Sequence, residues 1–510
     1  MVKLIGKRNQ AHPLVLRNAK CVDFASRRLN TSTLLIEKGT ISKKVTGRGL
    51  RIEGGIEHDL KGRYVIPGFI DAHTHLIPEG IDMQRIDLSR CRSLDDCLQK
   101  VTANLKSAEI AFASKWDDAS WRTNEMEALT RRTLDKVSRT KPIIMRRICG
   151  HYAVVNTPAM KYIPPHWKIV DRKNGRLYED VALNLNDIFR PTAEMLANAV
   201  RLATEKAVRL GITSVHEISK PRYLQALLKE REKAALRFSV YLTRKYHNHI
   251  VQTGLRAGFG DDWIRFAGTK VFVDGSVGAR TAALKDPFQR TRKRGKMLVS
   301  KSRLKRLVSS AEESGFQLMI HSIGDRATEE VLSVLRSQVP KGNPLRHRIE
   351  HLELLSDESI DTLAKIGLIA SMQPNFVRCW QNPGGFYERV MGPRYQRMNC
   401  YKTLLNRNIK VIFGSDCMPM GPLYGLYGAV AHPFDCGRLD VACAFRLYTE
   451  AGAYATFEEK KKGKLLPGYF ADLVVLDRNP LDEENLSAMK IDAVMVGGVF
   501  KYRRNAPPSA

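Results

Sequence analysis

At 510 residues the chain is longer than the roughly 250 of a bare α/β barrel, so a companion domain and insertions are expected. Its nine cysteines are scattered without a Cys-x-x-Cys pair, which argues against a disulfide scaffold or a zinc ribbon and fits a reducing cytoplasm. The formal net charge of +30 is densest at Arg290–Lys296, but no recognised nucleic-acid module accompanies it, so a solvated basic surface is expected and no specific nucleic-acid partner.

Near the N-terminus Lys3, Lys7 and Arg8 precede no signal-like apolar stretch, and no segment reaches the roughly 18 apolar residues of a membrane span. Residues 1–62 carry short apolar segments, Leu14-Val15-Leu16 and Leu34-Leu35-Ile36, separated by Gly, Lys and Arg. The apolar run Tyr64–Asp71 then delivers His73-Thr74-His75; because a strand alternates its faces, the two imidazoles point the same way. Residues from about 80 to 190, with Trp116, Trp121, Asp117, Asp118 and Arg131-Arg132, read as an insertion able to cover a pocket as a lid.

A helix is expected from Pro191 through Leu196, Val200, Ala203, Ala207 and Leu210, stopping at Gly211 before the apolar run Ile212–Val215 and His216-Glu217. Between Ser302 and Gly315 apolar residues at Leu304, Leu307, Val308 and Ala311 trace one helix face, with Gly315 suited to a left-handed cap. A third helix starts from Ser356 as N-cap and runs through Ile360 and Leu363 to Gly367, before the strand Leu368–Met372. Four short apolar runs carry or end near Lys270, His321, His351 and Asp416, spaced as one or two strand–helix units of about 30 residues. His347 reads as a packed histidine deeper in the strand that ends at His351.

Continuous apolar strands alternating with helices imply a parallel sheet covered on both faces, and polar groups at several strand ends favour an eight-stranded barrel over an open sheet. A Rossmann alternative lacks a glycine fingerprint. The fold class is therefore α/β, a distorted (β/α)8 TIM barrel, with a large insertion after the first barrel strand.

The stretch Val65–His75 resembles the first barrel strand of the amidohydrolase superfamily. The stretches Lys270–Ala282, His321–Ala327, Arg348–His351 and Gly414-Ser415-Asp416 are similar to motifs of its amidohydrolase 3 family, which includes N-substituted formamide deformylase. The resemblance spans nearly the whole chain in family order. It implies that His73 and His75 bind one metal, that His321 and His351 bind a second, and that Lys270, carboxylated by carbon dioxide, bridges them. Asp416 would bind the first metal and handle protons. An unmodified ammonium cannot ligate, so the bridging role requires the carbamate; imidazole nitrogen and carboxylate oxygen suit zinc, two ions per chain. It also implies that the β-rich ends, 1–62 and 465–510, meet as a small β-sandwich around a barrel over 63–464.

A metal pair lowers the pKa of bound water from about 15.7 to near 7, so a metal-held hydroxide is expected to attack a carbonyl, with Asp416 passing its proton to the leaving nitrogen. The expected reaction is hydrolysis of a non-peptide amide or formamide bond in a small-molecule substrate. By resemblance His151 orients the substrate carbonyl, and Gln373 is expected to line the pocket. Asp274 and Asp325 are candidate acceptors that orient ligands, while His216-Glu217 is left outside the ligand set. Ser322 stands where alanine is usual in the family and Cys417 directly follows Asp416; both lie near enough to the expected metals to affect specificity. The competing readings are a deaminase or dechlorinase of a nitrogen heterocycle, or a catalytically silent binding protein. The first commonly has a glutamate three residues after the strand-five histidine, where this chain has Gly324; the second predicts lost ligands, and none is lost. A homodimer is compatible with these motifs.

Overall fold

The computed structural model describes residues 12–47, 52–105, 109–122, 124–167 and 170–504; Lys3, Lys7 and Arg8 lie outside them. Its centre is a parallel eight-stranded sheet curled into a nearly closed barrel. In chain order the staves are Phe69–Thr74, Ile212–Ser219, Arg237–Thr243, Ile264–Phe272, Gln317–Ser322, Arg348–His351, Ile369–Met372 and Lys410–Phe413, each paired with its sequence neighbour. The register sets the ligating positions side by side: Phe272 faces His321, and Ser322 faces His351.

Closure between the last stave and the first depends on Gly414. A Cβ there would lie 2.4 Å from the His73 backbone nitrogen, so only glycine permits this approach. Asp71 fastens the seam, accepting the Ser415 N–H at 2.8 Å and the His73 N–H at 3.3 Å, while the Asp416 N–H donates to the His73 carbonyl at 2.8 Å.

The helical layer follows the sequence pattern closely. Lys301–Ser314 is capped by the Ser300 hydroxyl at one end and by Gly315 at φ +71° at the other, burying Leu304, Leu307, Val308 and Ala311. Asp357–Ile366 starts at Ser356, whose hydroxyl accepts the Ser359 N–H, and ends at Gly367 at φ +82°. The helix expected from Pro191 instead spans Ala193–Arg209 with Thr192 as its cap. Thr192 can satisfy an orphan N–H, that of Met195, with its side chain; Pro191 has no such side chain.

Both chain ends enter one eight-stranded sheet. Leu473–Leu476 pairs antiparallel with Tyr64–Pro67, which pairs in turn with Leu14–Asp23. Leu16, Leu34, Ile36, Val65, Leu473 and Met495 form its own core. The insertion builds a six-stranded sheet from Ile86–Asp87 to Arg176–Tyr178 around Trp116, Trp121 and Tyr152, with the two indoles stacked at 5.2 Å.

Cys400 and Cys436 are paired as a disulfide, a single bridge that the reading against a disulfide scaffold did not foresee; the other seven cysteines are free. The pair is 36 residues apart in sequence and comes together because the Cys436 carbonyl accepts the Thr403 N–H, contacts that no Cys-x-x-Cys pattern reports. Among the described residues no helix is long and apolar enough to cross a membrane.

Candidate metal centre

At the C-terminal mouth of the barrel the side chains of His73, His75, Lys270, His321, His351 and Asp416 line one cavity of about 720 Å³. One ligand atom each from His73, His75 and Asp416 lies within 4.8 Å of the others. Asp416 Oδ1 is 3.3 Å from His75 Nε2 and 3.6 Å from His73 Nε2. The His321 and His351 rings are 4.4 Å apart, and His73 is 4.9 Å from His351. Lys270 is fully buried, with Nζ 3.3 Å from His73 Nε2.

Backbone conformation explains why residues of opposite strand parity converge. Glu350 and His351 are neighbours in one stave, yet both serve the centre, because the chain turns into left-handed backbone at His351 (φ +73°) and Leu352 (φ +50°). Asp416 (φ +52°) and Cys417 (φ +59°) do the same after the last stave. Such conformations are costly for non-glycine residues and collect where function requires a particular aim.

His73 and His321 are each oriented by a specific partner. His73 Nδ1 donates to Glu350 Oε2 at 2.6 Å, leaving the Nε2 lone pair facing Lys270 and Asp416. Glu350 is gripped in turn by Arg348, Nε to Oε1 at 2.6 Å and Nη2 to Oε2 at 3.0 Å. His321 Nε2 donates to the Gly275 carbonyl at 3.0 Å, which leaves Nδ1 with its lone pair. His351 Nδ1 is buried without a hydrogen-bond partner among the described residues.

Burial, reinforced by neighbouring positive groups, holds His73, His321 and His351 well below the ordinary imidazole value and His75 near 3, so all four are neutral donors of lone pairs. Burial likewise draws Lys270 down to about 8 against the pull of Glu350 and Asp416. Burial pushes Asp416 up to about 7, with Lys270 and His151 opposing. Four neutral imidazoles, a carboxylate and an easily deprotonated amine fit divalent metal, and among the described residues His351 Nδ1 is left with a lone pair or proton that no protein atom engages.

His151 also reaches the cavity, its Nδ1 2.7 Å from Glu179 Oε2. Burial alone would lower its pKa, but the Glu179 carboxylate raises it above the ordinary value, so the ring remains a donor. Gln373 is placed behind the centre instead of on the cavity wall: it is buried, with Nε2 3.4 Å from His73 Nδ1. Asp274 accepts the Ile323, Gly324 and Ala283 N–H groups and lies 3.6 Å from His321 Nε2, holding the loop that carries that histidine. Asp325 serves no ligand; it accepts the Lys285 and Arg326 N–H groups. The Ser322 hydroxyl is 3.0 Å from that of Thr328, an exchange within the packing, while Cys417 lines the cavity. His347 is packed as expected, bonded to the Leu318 N–H and to Glu312.

Sequence reasoning passed over Asp71, Glu179, Arg348 and Glu350, and named Glu217 only as lying outside the ligand set. Glu217 accepts the Leu76 N–H, the Ile77 N–H and the Thr74 hydroxyl, anchoring the turn that carries His75. The signal was present for Arg348 and Glu350, which share the inward parity of a stave otherwise expected to be apolar.

Comparison with known proteins agrees with this geometry. The model of the amidohydrolase family matches residues 57–502. The Bacillus subtilis protein YtcJ, which bears an amidohydrolase name, is 28% identical over 93% of this chain and 96% of its own length. The N-substituted formamide deformylase of Arthrobacter pascens is 22% identical over 97% of this chain and 99% of its own. An uncharacterized metal-dependent hydrolase from Pyrococcus horikoshii superposes with a TM-score of 0.76 at 27% identity, covering 92% of this chain and 98% of that one. The chain thus belongs to the amidohydrolase family and is a metal-dependent hydrolase of the class that acts on carbon–nitrogen bonds.

Proposed function

We propose that this protein hydrolyses an amide or formamide bond of a small molecule at a centre of two divalent ions, zinc by preference. The observation that supports this best is the meeting of His73, His75, Lys270, His321, His351 and Asp416, from five staves, in one cavity. His73, His75 and Asp416 would hold one ion, His321 and His351 the other. Lys270 would bridge them once its neutral amine has added carbon dioxide, forming an N–C bond and releasing a proton; its burial and depressed pKa favour that amine. Bound there, the metal supplies acidified water and a polarised carbonyl.

The chain's own residues do the rest. Asp416, 3.3 Å from His75 Nε2 and lining the same cavity as His321 and His351, takes the proton of the attacking water and returns it to the departing nitrogen. His151, held as a donor by Glu179, faces the carbonyl oxygen where negative charge develops. A second cavity of about 30 Å³ abuts His321, His351 and Asp416 and is walled by Phe376, Trp380 and Tyr387. It has room for a group the size of a couple of waters, which suits a formyl or acetyl group, while the 720 Å³ cavity takes the larger amine.

Metal analysis of the purified protein, paired with a screen of N-formyl and N-acyl compounds, tests the reading. About two ions per chain and turnover of short N-acyl amines are expected. Lys270→Ala should lose activity by more than about 100-fold and regain part of it with added short carboxylic acids. Failure of every N-acyl compound with a metal-loaded protein would overturn it.

A further inference from the structure

One wall of the large cavity is more cationic than its acids can balance. Arg146 is paired with Asp82 at 2.5 Å, Lys115 with Glu79 at 2.7 Å, and Lys220 with Asp187 at 3.1 Å. Arg244 and Lys245 follow the third stave in the single turn Arg244–Tyr246 and line the same cavity. Among the described residues neither makes an ion pair within 4.0 Å; Lys245 has only the Tyr246 ring, 5.7 Å from its Nζ.

Their neighbours add to the excess. Burial and the field of Arg303 depress the Arg244 guanidinium, with Asp180 the acid that opposes them. Burial also lowers Lys220, offset by Asp187 and reinforced by Lys245 and Arg146. Arg244 is half-buried and Lys245 exposed; like charges crowded on this wall raise the energy of the cavity, and an anion entering it removes that cost. An arginine fork beside a lysine matches the oxygens of a carboxylate or a phosphate. Tyr246, Phe272 and Leu298 add apolar lining to the same cavity.

We propose that Arg244 and Lys245 form an oxyanion-binding subsite, so that the substrate carries a carboxylate or phosphate on the amine side, away from the scissile carbonyl. This rests on the amide-hydrolase reading and narrows its substrate class.

The test compares three series on the metal-loaded enzyme: N-formyl ω-amino acids of increasing chain length, N-formyl aminoalkyl phosphates, and uncharged N-formyl alkylamines. At least one anionic series should exceed the uncharged one in kcat/KM by about tenfold or more, with an optimum chain length. That ratio should collapse in the Arg244→Gln/Lys245→Gln double variant and shrink with added salt. Because a ratio is read, a general loss of active protein cannot imitate the result. Calorimetric titration with pentanoate against pentanamide reads the subsite without turnover: the wild type should bind pentanoate more tightly than the double variant does. Equal ratios in both proteins with turnover intact would overturn the subsite and leave the hydrolase reading standing. No turnover together with a lost pentanoate preference would do the reverse.

Discussion

At the scale of single residues, the centre is built from ligand-bearing side chains and the groups that aim them. Glu350 fixes the tautomer of His73 and is itself fixed by the buried Arg348. Replacing Glu350 with Gln removes charge from the hydrogen bond but keeps its shape, so metal affinity should fall by about 10–100-fold while the fold persists; competition with a chelator measures it. Glu458 illustrates a purely structural charge. Burial would raise its pKa, yet Lys462 at 2.8 Å, Arg265 at 3.5 Å and the Thr456 hydroxyl draw it down to about 2 from 4.5. A carboxyl depressed in the folded state contributes stability that is present above the unfolded value and lost as pH falls through the folded one. Wild-type melting temperature should therefore drop between pH 4.5 and about 2, and Glu458→Gln should be less stable at neutral pH and less sensitive across that window.

At the scale of elements, the ends of two helices were legible from the side chain and the glycine that cap them, whereas the Thr192 cap was passed over for Pro191. Ser356 and Gly367, or Leu304 through Gly315, announce themselves because local chemistry and helical period agree. Ser356→Ala should cost about 1 kcal/mol in chemical denaturation. His73, His75, His321 and His351 were likewise visible at strand ends, but their partners were not. Glu179 lies 28 residues from His151, and Glu350 lies 277 from His73, so no window of local sequence contains either pair. Gln373 was misread for a similar reason: the helix Pro374–Trp380 starts immediately after it, and the chain's change of direction places its amide behind His73. Gly414 carries the steepest expectation among the elements. Gly414→Ala pushes a methyl against the His73 backbone, so both metal content and melting temperature should fall together.

At the scale of the whole molecule, the nearly closed barrel brings residues 73 to 416 to a single mouth, and the six-stranded insertion supplies Arg146, Arg147 and His151 to the same cavity. The terminal sheet joins the two ends of the chain through Leu473–Leu476 against Tyr64–Pro67, directly before the stave that presents His73. The net charge of +30 is a property of the surface at this scale. Retention on DNA at low salt should vanish at moderate salt without sequence preference, which a filter-binding titration checks. The most direct test of the account is a crystal structure of the metal-loaded protein with anomalous scattering. It should show two ions, one beside His73, His75 and Asp416 and one beside His321 and His351, with carbamate density on Lys270 between them. A single ion beside an unmodified Lys270 amine, or ions bound in another cavity, would contradict it.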